Sequence, residues 1–191
     1  MHTYPLAAYV RCLEAGDWAG VAELMMSSAE KLAGAGADFL ICPDNTIHQA
    51  FDLVEHRAPR PWLHIGREVA RGAKHSHFHR LAVLGTRFLM EGPVYPEALK
   101  AAGLEWRTPN PAQRKEINRI IFDELVNSVL RPESLGYFVD VIEDLKREGC
   151  DAVVLGCTEI PLLVTPDSSP LPVLDSTRIL SRAALRKAVN R

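Results

Sequence analysis

Gly36-Ala37-Asp38-Phe39-Leu40-Ile41-Cys42-Pro43-Asp44-Asn45-Thr46-Ile47-His48 and Gly149-Cys150-Asp151-Ala152-Val153-Val154-Leu155-Gly156-Cys157-Thr158-Glu159-Ile160-Pro161 are two copies of one pattern, and they align without a gap. Each opens on Gly-x-Asp, runs through a short apolar segment and breaks at Pro43 or Gly156. Each then presents a proton-active side chain, Asp44 or Cys157, followed by Asn45 or Thr158. A continuous apolar run bounded by breakers reads as a buried parallel strand. Amphipathic helical stretches precede both copies, so each unit reads helix, strand, turn, helix. Duplication implies two similar halves. Halves that face each other bring Asp44 and Cys157 to one cleft, where such a pair can move a proton on or off a carbon from two sides.

Upstream of the first copy, residues 5–15 show helical spacing at Leu6, Tyr9, Val10 and Leu13, stopped by Gly16-Asp17. Asp17 then predicts the cap of a helix over about 18–32, with Val21, Leu24, Met25 and Ala29 on its apolar face. Met25 and Met26 read as core filler. Downstream, a helix is expected to about residue 56, a loop over 57–61, a strand at 62–65 and a helix over 67–74. His75, His77 and His79 alternate, as three ligands on one side of a strand would. No carboxylate or Cys is near them in sequence, so the segment reads as an exposed linker and no metal is expected.

Residues 81–86 read as a strand with a tight turn that puts Thr86 at the mouth of a sheet. A helix to about 102, a strand over 104–106 and a long helix from Pro111 to about 130 follow. The last carries an apolar stripe of Ile117, Ile120, Ile121, Leu125 and Val129. Another helix ends at Glu148. Beyond the second copy come a Pro- and Ser-containing loop, a strand over 172–175 and a terminal helix capped by Ser176 or Thr177. This alternation predicts an α/β fold with parallel sheets flanked by helices. Ligands of such folds bind at the carboxyl ends of the strands, where Asp44, Thr86, Cys157 and Asp175 fall.

The chain has 191 residues, 47% hydrophobic and 24% charged, with a formal net charge of −2. These values suit a soluble globular protein of one domain or two small ones and give no electrostatic footprint for nucleic acid. No apolar run approaches the ~20 residues of a membrane helix, and no signal peptide is visible. Four cysteines without CxxC spacing point to a reduced, cytoplasmic protein.

A Cys that follows Gly at a helix start can have its thiolate stabilised by backbone N–H groups, which makes Cys157 a plausible base or nucleophile. The alternative is a small buried residue beneath a turn. Thr158 and Glu159 can bind a substrate carboxylate or set local charge. Asp44 reads equally as an N-cap and as an acid or base whose pKa is raised by burial. Asn45 and Thr46 offer donors to an anion, and His48 lies one helical turn beyond Asp44.

At these residues the chain resembles the aspartate/glutamate racemase family, essentially over its whole length. The resemblance rests on Leu155-Gly156-Cys157-Thr158-Glu159-Ile160-Pro161-Leu162, Leu84-Gly85-Thr86-Arg87, Ile117-Asn118-Arg119-Ile120-Ile121-Phe122-Asp123-Glu124-Leu125 and Val173-Leu174-Asp175-Ser176. It implies a cofactor-independent homodimeric enzyme with two pseudo-symmetric α/β domains and the active-site cleft between them. Residues 1–78 with 172–191 would form the first domain and 79–171 the second. Two opposed residues, typically both Cys, serve the two faces of the α-carbon in such racemases. The implied catalytic pair here is Cys157 and Asp44, with Asn45, Thr46, Thr86, Thr158, Glu159 and Asn127 binding substrate. Three departures stand out. Asp44-Asn45-Thr46 replaces the usual Cys-Asn-Thr, and Cys42, two residues early, does not inherit the catalytic role. Asn127 stands where the family often has a substrate-binding Lys, which weakens the case for an acidic substrate. The usual first strand and Gly-rich loop are missing, which suggests a truncated start.

The leading functional expectation is therefore a racemase or epimerase of an amino acid or related carboxylate. A decarboxylase or isomerase of a small dicarboxylate, protonating from the Cys157 side alone, is the second. A catalytically degenerate carboxylate-binding protein is the third.

Overall fold

The computed structural model describes residues 1–189. Residues 190 and 191, the end of the segment assigned by sequence to the first domain, lie outside the described residues. A parallel sheet of four strands forms the centre, in the order β4-β3-β5-β6, from β3 (Arg80–Leu84), β4 (Glu105–Arg107), β5 (Ala152–Leu155) and β6 (Val173–Asp175). Its buried strands read as continuous apolar runs because helices cover both faces. Ala82, Leu84, Val153 and Leu155 point to one face, against Ile117, Ile120 and Ile121 of α6 (Pro111–Asp123) and Phe138, Val141 and Ile142 of α7 (Pro132–Arg147). Leu81, Val83, Ala152 and Val154 point to the other, against Val69 and Ala73 of α3 (Ile65–His75) and Tyr95 and Leu99 of α5 (Val94–Ala101). The two-residue period of a strand thus feeds two separate cores.

The first copy builds a smaller unit. Its apolar run yields only β1 (Leu40–Ile41), paired in parallel with β2 (Trp62–Leu63). Two strands this short do not hold themselves. The unit is stabilised by a core of Val21, Met25 and Met26 from α2 (Trp18–Gly34) against Ile47, Ala50 and Phe51. Asp17 caps α2 by accepting from the Gly20 N–H at 2.8 Å. Before it lies α1 (Leu6–Ala15), which has no fully buried residue and ends on Gly16 in the left-handed region at φ 66°. There a side chain would be strained.

Several expected elements take a different form. Residues 46–53 are a 3₁₀ helix rather than an α-helix to residue 56. His64 ends the second strand early: its ring accepts from the Arg67 N–H and caps α3. Gly92-Pro93 divides the helix after Thr86 into α4 (Arg87–Glu91) and α5. The long helix stops at Asp123, followed by a 3₁₀ turn, Leu125–Asn127, and by Ser128 in the left-handed region, so Val129 leaves the stripe and is exposed. Asp175, not Ser176 or Thr177, caps α9 (Ser176–Val189) by accepting from the Arg178 N–H. Finally, the strand of 172–191 pairs residue for residue with β5, Leu155 against Asp175, so it joins the larger sheet and not the first unit. The helix that follows packs on both α3 and β2. None of the helices among the described residues is long and apolar enough to cross a membrane.

Candidate active site

The register of the larger sheet sets the position of the second turn. Leu84 pairs with Leu155 at the carboxyl ends of β3 and β5, so Gly85-Thr86 and Gly156-Cys157 leave the sheet side by side. The Gly156 N–H donates to the Leu84 carbonyl at 2.7 Å. A Cβ at Gly156 would sit 2.8 Å from that carbonyl oxygen, so only glycine allows the two strand ends this approach. α8 (Ile160–Leu163) begins three residues after Cys157.

The first turn is fixed from below. The Asp44 carboxylate accepts from the Ile47 N–H at 3.0 Å, although Asn45, not Asp44, is the N-cap residue of the 3₁₀ helix. His48 is buried, with Nδ1 donating to the Asp44 carbonyl at 2.7 Å and Nε2 accepting from the Ile65 N–H at 3.4 Å. Both ring atoms are thus committed to one neutral tautomer. Burial, then the neighbouring His64, lowers its pKa to about 3. His48 is a structural bolt beneath the turn, not a proton shuttle.

Between the turns lies a cleft of about 300 Å³. Asp44, Asn45, Thr46, Thr86, Cys157, Thr158 and Glu159 all line it. Asn127 and Asp175 are not among its lining residues; the Asn127 amide donates back to the Phe122 and Asp123 carbonyls. Thr46 and Thr86 meet hydroxyl to hydroxyl at 3.0 Å, and Thr86 also caps α4 through the Leu89 N–H. Asn45 is buried and already committed: it accepts from the Tyr95 hydroxyl at 2.7 Å and donates to Ser176 Oγ at 2.9 Å. It holds the turn in place more than it offers itself to a ligand.

The electrostatics reverse one expectation. The Cys157 thiol donates to Glu159 Oε2 at 2.9 Å, and the Thr158 hydroxyl donates to the same oxygen at 2.7 Å. Burial first, and then the charge and hydrogen bond of Glu159, raise the Cys157 pKa, with Asp44 adding to the same effect. Backbone N–H stabilisation of the thiolate is present but outweighed, and the resting group is a thiol. Asp44 opens onto the cleft, yet crowding protein atoms desolvate its carboxylate and raise its pKa, which its bonds from the Ile47 and Thr46 N–H groups only partly offset. Cys42 packs into the core of the smaller unit beside Tyr9, and burial pushes its thiol up to about 12. It does not line the cleft.

Much of the cleft wall escaped sequence reading. Leu6, Val10 and Leu13 of α1 line the cleft, as do Phe88, Ile121, Phe122 and Val126. The first three recur at helical spacing, which identifies a face but not what it faces. Among the described residues, no three His, Cys, Asp or Glu side chains gather as metal ligands would.

The sequence profile of the Asp/Glu/hydantoin racemases matches residues 1–184. A Yersinia pestis structure described provisionally as an Asp/Glu racemase superposes with a TM-score of 0.90 at 32% identity, covering 98% of this chain and 82% of that one. An aspartate racemase homologue of Pyrococcus horikoshii superposes with a TM-score of 0.80 at 31% identity, over 90% and 75% of the two chains. The broad-specificity amino-acid racemase RacX of Bacillus subtilis is 23% identical over 164 residues, 84% of this chain and 69% of the relative. The chain belongs to the Asp/Glu/hydantoin racemase family.

Proposed function

We propose that this member of a family of isomerases is a cofactor-independent amino-acid racemase in which Asp44 and Cys157 serve opposite faces of the α-carbon. The observation that carries the reading is that both groups line one cleft, from the two equivalent turns, near enough for the Asp44 charge to act on the thiol. One turnover starts with Asp44 as the carboxylate and Cys157 as the thiol. The Asp44 carboxylate takes the α-proton, and the Cys157 thiol delivers its own proton to the other face, leaving Asp44 protonated and Cys157 a thiolate. The opposite enantiomer is processed from that second state. Glu159, hydrogen-bonded to Sγ, is placed to pass the thiol proton to and from solvent. The hydroxyls of Thr46, Thr86 and Thr158 and the turn N–H groups support the substrate carboxylate as enolate charge develops, as preorganised donors do elsewhere. The same reading takes the protein as a cytoplasmic homodimer, which analytical ultracentrifugation tests.

Proton NMR in heavy water reads the chemistry directly. Cys157→Ser and Asp44→Asn are each expected to slow α-proton exchange by about 10³-fold or more. Near-normal exchange in Cys157→Ser would sink the proposal. One-sided protonation by Cys157 is the second reading, favoured by the commitment of the Asp44 carboxylate to the Ile47 N–H. It predicts decarboxylation or isomerisation without inversion.

A further inference from the structure

We infer that the substrate is an amino acid with an uncharged, apolar side chain, not a dicarboxylate. The inference rests on the racemase reading for its chemistry and on the cleft wall for its content. The apolar lining of the cleft includes Val10 and Leu13 of α1, Ile121 and Phe122 of α6, Phe88 and Val126. Among the described residues, no Lys, Arg or His lines the cleft. The charged residues that line the cleft among the described residues, Asp44 and Glu159, are both acidic, and Glu159 acts on Asp44 as a like charge.

Each part of a substrate then has a place. An α-ammonium group between Asp44 and Glu159 relieves their repulsion. An α-carboxylate meets the threonine hydroxyls and turn N–H groups. A second carboxylate, as in aspartate or glutamate, would lose water against apolar side chains without a cation in exchange and in the field of two existing carboxylates, which is costly on every count. Arginines on neighbouring elements do not change this. Arg87 lies over the Phe88 ring with its guanidinium 5.2 Å from the centroid, and Arg119 is engaged by Glu116 and Glu124. An aliphatic or thioether side chain displaces water from the apolar wall at no such cost.

The test measures α-proton exchange and enantiomer composition for L-leucine, L-methionine, L-phenylalanine, L-aspartate and L-glutamate, with calorimetric binding of the same compounds. The full chain is compared with Val126→Lys, an exposed cleft position where a cation fits without disturbing the core. The apolar substrates are expected to exceed the acidic ones by about a hundredfold in kcat/KM. Val126→Lys is expected to narrow that ratio at least tenfold. Aspartate or glutamate turned over as well as leucine by the unaltered chain would overturn the substrate inference and leave the racemase reading standing. Preferential binding of apolar amino acids without exchange would do the reverse. Neither exchange nor preferential binding would overturn both.

Discussion

Asp44 and Glu159 set two carboxylates beside one thiol, and the charge they share decides which proton sits where. On the proposed racemase reading, the pair of Asp44 and Cys157 works when it holds one proton in total, since two protons remove the base and none removes the acid. Both pKa values lie above the ordinary values, Asp44 through desolvation and Cys157 through burial and Glu159. A bell-shaped profile of kcat/KM follows. Its acid limb falls as pH drops through the Asp44 value, above the usual carboxylate range of about 4. Removing the Glu159 charge lowers both pKa values, so Glu159→Gln is expected to move both limbs to lower pH. An unmoved profile would separate Glu159 from the pair. The two turns, their breakers and the arrival of Asp44 and Cys157 at one cleft were legible in the sequence, because a glycine or proline at a strand end has a local cause. The direction of the thiol shift was not. The helix beyond Cys157 is only four residues long, and the Glu159 carboxylate folds back onto Sγ.

Helix and strand identities follow from spacing and caps wherever those are local. Asp17, the Gly16 stop and the Pro111 start all behave as their chemistry requires, and Asn110 completes a reciprocal cap with Gln113. The 3₁₀ form of residues 46–53 does not follow, because its geometry is imposed by the His48 bolt between the Asp44 carbonyl and the Ile65 N–H. That bolt has a measurable acid limit. Burial lowers the pKa of His48 to about 3 and of His64 to about 4. Unfolded histidines take up a proton near pH 6.5, so the stabilisation is full above that pH and is lost as pH falls toward the folded values. Each ring contributes a slope of about 1.4 kcal/mol per pH unit within its window. Urea unfolding is expected to show stability falling steeply between pH 6.5 and 4.5. His48→Gln should lower stability at pH 7 by about 1–3 kcal/mol, through the loss of buried hydrogen bonds, and roughly halve the slope. An unchanged slope would assign the acid limit to other groups.

At the scale of the whole molecule, the two units meet through a polar seam. The Tyr95 hydroxyl donates to Asn45 Oδ1, Asn45 Nδ2 donates to Ser176 Oγ, and Ser176 Oγ donates to the Leu155 carbonyl at 2.8 Å. This chain ties the first turn to α5, to the start of α9 and to the end of β5. Tyr95 and Ser176 lie 50 and 131 positions from Asn45, and no local signal links them. The duplicated pattern shows that two halves exist, whereas parallel pairing of β6 with β5 and closure of the seam are long-range choices made by burial. On the proposed reading this seam holds the Asp44 turn against the end of β5, and an error of about 1 Å in a reacting geometry can cost a hundredfold in rate. Tyr95→Phe keeps the ring in the core and removes only the donor. It leaves Asn45 Oδ1 buried without its partner, a cost of about 1–3 kcal/mol. The variant is expected to remain folded, to lose at least about tenfold in kcat, and to keep KM within a few-fold, because the side-chain wall is untouched. A loss of stability with kcat unchanged would make the seam a purely structural tie. A fall in kcat larger than the stability change explains would show that the two turns must be held in register for proton transfer across the cleft.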